Sequence, residues 1–128
     1  MPFVHLSTTL AITPEAKADL ADAIAHLVAT MPGKPYERTM VRIDSECDIY
    51  RAGQPAECAY FQTHFQNPVP LEAQTAYVEA MYALFREKLG LEIPQIYMSM
   101  IALDTWGTRG TLKPKAYEFH FSPLWLER

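Results

Sequence analysis

The sequence predicts an α+β fold in which a four-stranded sheet carries two helices on one face, built from a strand-helix-strand unit used twice. Three observations lead there. Two segments repeat apolar residues at helical spacing, each lies between short runs rich in β-branched and aromatic residues, and a shift of 57 positions lays one set over the other. Under that shift Glu15 falls on Glu72, Ala16 on Ala73, Ala23 on Ala80, Leu27 on Leu84 and Gly33 on Gly90.

The first unit opens with FVHLST, a strand pattern headed by Pro2. A helix follows between Thr13 and Gly33: Thr13 suits the N-cap, Pro14 the first turn, Leu20, Ile24, Leu27, Val28 and Met31 form the apolar stripe, and Gly33 suits the end. The run TMVRI then reads as the second strand. Residues 44–56 (DSECDIYRAGQPA) read as a polar linking loop.

In the second unit CAYFQTHF is the strand before the helix. Leu71 to Gly90 is the helix, with Tyr77, Val78, Met81, Leu84 and Phe85 on one face, and QIYMSMIAL is the closing strand. Both helices are long enough to cross back over a sheet and return the chain parallel to its start. The alternation from Ala116 to Phe121 predicts an extra C-terminal edge strand. The whole chain, 1–128, reads as one domain with repeat halves at about 2–50 and 58–107. The sheet face without helices still carries apolar side chains, which points to association between subunits.

A chain of 128 residues, 49% apolar and 20% charged, buries roughly two-thirds of its unfolded surface and holds a core. A net charge of -4 without a Lys/Arg run points away from nucleic acid and anionic membranes as partners. No apolar stretch approaches the ~18 residues of a membrane span, and the start lacks the pattern of a secretory signal, so a cytoplasmic location is expected. Cys47 and Cys58 have no metal-ligand spacing and read as free thiols. His5, His26, His64 and His120 fall on separate elements without HxH or HxxxH pairs, so no metal is expected.

Pro2 is the residue that invites chemistry. A small residue after the initiator favours removal of Met1, which would leave a secondary amine fixed at the first strand, by expectation at the sheet edge. An α-amino group starts near pKa ~7.7 to 8.0, and apolar walls or a nearby cation lower it further, toward the range useful to a general base. The helical crossover returns the chain to the end where the first strand began, which brings Lys34 and Arg38 toward Pro2 as depressors of that pKa and as holders of an anion. Arg38 and Arg42 are expected on the second strand, alternating with Val41 and Ile43. In the second unit Ala59 takes the place of Pro2, so one half of the duplication is equipped.

MPFVHLST, the GKP at 33–35, ECAYFQTHF and IYMSM resemble, in order and over roughly residues 2 to 107, the tautomerase superfamily in its macrophage migration inhibitory factor branch. The resemblance implies a homotrimer with sites between subunits and an amino-terminal proline that moves a proton between carbon and oxygen of a keto-enol substrate. Pro2 matches the catalytic proline, Lys34 the substrate-binding lysine, and Tyr97 the tyrosine given by the adjacent subunit. Three positions depart from the branch: Ser99 stands where an asparagine is common, Arg38 where a tyrosine lies beside the site, and Gln66 near an apolar residue whose backbone amide contacts substrate. Arg109, after Trp106, falls in a turn that the branch places near the site mouth. The implied activity is a cofactor-independent isomerase of a small 2-keto or enol carboxylic acid. The cationic departures favour a smaller or dianionic acid over a phenylpyruvate-type one. Alternatives are the superfamily's hydratase, dehalogenase or decarboxylase reactions on small unsaturated or keto acids, or a non-enzymatic trimeric interaction protein.

Overall fold

A computed structural model describes residues 2–114. In chain order the elements are β1 (Phe3–Thr8), α1 (Pro14–Val28), β2 (Met40–Asp44), β3 (Tyr50–Arg51), β4 (Gln54–Pro55), β5 (Ala59–Gln66), α2 (Leu71–Leu89), β6 (Ile96–Leu103), β7 (Trp106–Thr108) and β8 (Thr111–Lys113), with single 3₁₀ turns at Tyr36–Arg38 and Ile93–Gln95. The main sheet runs β2-β1-β5-β6. β1 lies parallel to β2 and antiparallel to β5, and β5 lies parallel to β6. The strand-helix-strand unit therefore occurs twice, joined back to back through the two first strands.

Alternation along the strands sorts the side chains. Val4, Leu6, Phe61, Thr63 and Phe65 are buried toward the helices, where they meet Leu20, Ile24 and Val28 of α1 and Tyr77, Met81 and Phe85 of α2. Phe61 and Phe85 meet edge to face at 5.1 Å. The buried Tyr77 hydroxyl and Thr63 Oγ1 share a hydrogen bond of 2.9 Å. The opposite face carries Phe3, His5, Ser7, Arg42, Asp44, Tyr60, Tyr97 and Ser99, and no described helix covers it. There Asp44 Oδ2 accepts from His5 Nε2 at 2.7 Å and pairs with Arg42 Nε at 3.1 Å.

Thr13 caps α1 as the sequence predicts, its Oγ1 accepting from the Ala16 amide at 3.2 Å. α1 is shorter than predicted: it stops at Val28, and tight turns carry Thr30 and Met31 to Pro32, which has no N–H with which to continue a helix. Gly33 turns the chain beyond the helix at φ 74, while Gly90 caps α2 directly at φ 70. Paired by the 57-residue shift, the two glycines share a left-handed backbone.

Four further features differ from expectation. The stretch at 44–56 contains the β3-β4 hairpin, turned by Ala52 and Gly53 at φ 52 and 76. β7 and β8 form a second hairpin through Arg109 and Gly110 at φ 52 and 78. Arg38 lies in a 3₁₀ turn ahead of β2, because Pro35 N-caps that turn and delays the strand to Met40. Pro2 heads a central strand flanked by β2 and β5, away from the sheet edges. The predicted strand at 116–121 falls outside the described residues.

Candidate functional site

Pro2 is buried at the start of β1, and its carbonyl accepts from the Met40 amide at 3.2 Å. Proline's missing N–H costs nothing at a first strand position, where no ladder bond is due. The crossover through α1 does bring the chain back beside it, as the connectivity argument requires. Phe3 pairs with His64, so one step further along the antiparallel ladder Pro2 is level with Phe65, whose side chain shares its helix-facing side.

Lys34 is the buried cation of this end. It is 6% exposed; its Nζ donates to the Gln66 carbonyl at 2.7 Å and lies 5.6 Å from the centre of the Phe65 ring. Burial pushes the Lys34 ammonium below its ordinary pKa, because the surrounding protein solvates charge less well than water does. Gln66 is buried as well, and its Nε2 donates to the carbonyls of Asp104 at 3.2 Å, Lys113 at 2.6 Å and Pro114 at 3.1 Å. The Gln66 backbone thus holds the lysine while its side chain ties down the β7-β8 hairpin. Arg38 is exposed two residues before Met40, and Arg109 is exposed at the hairpin turn.

Tyr97 and Ser99 lie elsewhere. Phe65 pairs with Ala102, five positions along β6 from Tyr97, so within one chain Tyr97 sits about 16 Å along the strand direction from the level of Pro2. The Ser99 Oγ accepts from the Tyr60 hydroxyl at 2.8 Å. Tyr97 is 59% exposed and borders a cleft of about 440 Å³ with Tyr50, Arg51, Cys58, Tyr60 and Gln95. Pro2, Lys34, Arg38, Gln66 and the hairpin bearing Arg109 therefore gather at one end of the sheet, and Tyr97 and Ser99 at the other.

Two residues at these ends escaped the sequence reading. Phe65 was legible in the alternation Phe61, Thr63, Phe65, which puts an aromatic ring level with Pro2 once the register is known. Arg51 was hidden in a stretch that reads as a loop; Gly53 two residues later is the signal for a hairpin that aims it at β6.

Among the described residues no three His, Cys, Asp or Glu side chains are grouped to hold a metal ion, and no helix is long and apolar enough to cross a membrane.

The family model of macrophage migration inhibitory factor (MIF) matches residues 1–112. The chain belongs to the MIF family. It is 31% identical over 115 residues to D-dopachrome decarboxylase-B of Xenopus laevis, across 88% of this chain and 97% of that protein. Leishmania major MIF2 superposes with a TM-score of 0.79 at 20% identity, over 88% of this chain and 97% of its own. Pt0534, in a crystal structure of its form inactivated by 2-oxo-3-pentynoate, gives a TM-score of 0.76 at 19% identity, covering 84% and 93% of the two chains. At such identities the solved structures establish the shared fold. MIF membership, with the D-dopachrome decarboxylase relative, supports a tautomerase-type function.

Proposed function

We propose that the protein is a cofactor-independent keto-enol isomerase of a small 2-keto or enol carboxylic acid, acting as a homotrimer with Pro2 as base and acid. The observation that carries the reading is that Pro2 and the buried, anchored Lys34 lie at the same end of the sheet, Pro2 level with Phe65 and Lys34 beside the Phe65 ring. Once Met1 is removed, the ring nitrogen is a secondary amine among apolar neighbours, and burial with a nearby ammonium favours its neutral form at working pH. The neutral amine takes a proton from carbon α to the carbonyl. The electron pair left behind moves into the carbonyl, and the resulting enolate oxygen is stabilised by a cationic donor. The prolinium then returns the proton to oxygen, giving the enol; the reverse sequence ketonises it.

Lys34 and Arg38 hold the carboxylate and the developing charge in this reading, Gln66 fixes Lys34, and Arg109 lies at the mouth. Tyr97 and Ser99 are too far from Pro2 in their own chain, which supports their contribution from an adjacent subunit of a trimer.

The test starts with the intact mass, which is expected to show loss of Met1. Pro2→Ala, folded and likewise processed, leaves a primary amine that no ring holds in place and is expected to lose about 100-fold in kcat on enol and keto acids, the worth of correct positioning of an acid-base group. 2-Oxo-3-pentynoate offers a second probe: a neutral Pro2 amine adds across its conjugated alkyne, and the added mass maps to the first peptide. Full activity in Pro2→Ala overturns the proposal.

The name of the Xenopus relative favours one competing reaction, decarboxylation. There Pro2 stays protonated and donates its proton to the carbon that has lost CO2. Gas release together with a proline amine titrating well above neutrality identifies that case.

A further inference from the structure

At the end of the sheet away from Pro2, Arg51 is tied to the 3₁₀ turn that leads into β6 and lies over Tyr97 of that strand. Its Nη1 donates to the Pro94 carbonyl at 2.6 Å, and its guanidinium carbon lies 5.1 Å from the centre of the Tyr97 ring. Ala52 and Gly53 fix the two-residue turn that follows, so the β3-β4 hairpin presents the arginine to β6. The guanidinium lies over the ring face, and with Nη1 on Pro94 the Nε–Nη2 edge is the one that can meet a carboxylate. Among the described residues lining the 440 Å³ cleft, Arg51 is the one charged side chain, and Tyr50, Tyr60 and Tyr97 form much of the rest. A cleft with aromatic walls and a single forked cation suits one planar carboxylate end of a small molecule.

We propose that Arg51 is a substrate-binding residue delivered with Tyr97 into the Pro2 site of the adjoining subunit, and that the site therefore selects small dicarboxylic keto or enol acids. The inference rests on the proposed function, in which Tyr97 acts across the subunit boundary. Whatever Tyr97 reaches, Arg51 lies beside, since its guanidinium sits over the Tyr97 ring and is held there by Pro94. One carboxylate then lies with Lys34 and Arg38 of one chain and the second with Arg51 of its neighbour.

The test compares a 2-keto monocarboxylic acid with the analogue carrying a second, terminal carboxylate. The natural protein is expected to prefer the diacid. Arg51→Gln is expected to raise KM for the diacid roughly 10- to 100-fold, the loss of a charged hydrogen-bonded pair, and to leave the monoacid within about threefold. Arg51→Lys, which keeps charge without the fork, should fall between. Mixing Pro2→Ala chains with Arg51→Gln chains tests the crossing directly. Each mixed ring of three contains one interface at which an intact Pro2 meets an intact Arg51, so random mixing restores about a quarter of the natural diacid activity. No preference for the diacid, an equal loss on both substrates, or no recovery on mixing overturns the inference. Should Pro2→Ala keep full activity, it is the proposed function that fails; should Pro2→Ala be inactive while Arg51→Gln discriminates nothing, the inference alone fails.

Discussion

Gln66→Leu should loosen the β7-β8 hairpin far more than it weakens the fold as a whole. The Gln66 side-chain amide has two N–H groups facing three carbonyl oxygens, those of Asp104, Lys113 and Pro114. Leucine fills a similar volume and donates nothing. Two net hydrogen bonds at about 1 kcal/mol each make a loss of about 2 kcal/mol, before any cost of leaving acceptors dry. If that loss falls on local opening, amide exchange at Gly107 and Leu112, which pair across the hairpin, accelerates roughly 30-fold, since each 1.4 kcal/mol is a factor of ten. Hydrogen-exchange mass spectrometry of peptides spanning 104–113 reads this directly, with α2 as the unaffected reference. Gln66→Glu sharpens the comparison, because a carboxylate set against three carbonyls repels them while its protonated form regains one donor. Its hairpin should tighten again as pH falls. Unchanged exchange in both variants refutes the view that this one amide holds the hairpin.

Two further predictions concern charge. Lys34 titrates below its ordinary value of 10.5 in the folded chain, so between its folded and unfolded pKa values the unfolded chain binds more protons and stability rises with pH. The stability of the natural protein relative to Lys34→Met should therefore be flat at neutral pH and climb toward pH 10.5; parallel urea-denaturation curves across that range contradict it. The Asp44 carboxyl is held below the usual carboxylate range chiefly by its hydrogen bond with His5, with Arg42 adding attraction. That stabilisation is present above the unfolded carboxylate pKa and is lost as pH falls through the lower folded value, so Asp44→Asn should flatten the acid limb of a thermal-denaturation series below about pH 4. An unchanged acid limb removes Asp44 from the account.

The duplicated unit was legible because it is written in local terms. The strand FVHLST matches β1 at both ends, Thr13 caps its helix, and Gly90 closes the other. Competing signals shortened α1: the apolar stripe continues to Met31, yet Pro32 and Gly33 end the regular backbone before it. At the candidate site, the return of Lys34 toward Pro2 followed from the topology of a parallel crossover. What could not be read was which atom the ammonium would choose, since the Gln66 carbonyl lies 32 residues away and nothing in its sequence context marks it. Arg38 was misplaced onto β2 because Pro35 and the 3₁₀ turn intervene. The two short hairpins went unseen for a related reason: strands of two or three residues are too brief for alternation to register, and each turn is announced by a single glycine.

The place of residue 2 between two paired neighbours has a practical consequence for anyone handling the protein. A purification handle or fluorescent partner joined ahead of that position leaves from the middle of the sheet's end, between β2 and β5. It would also convert the ring nitrogen into a tertiary amide, abolishing basicity while circular dichroism and melting temperature looked normal. Preparations made that way would score as inert in every activity assay described above, whatever the natural chain does.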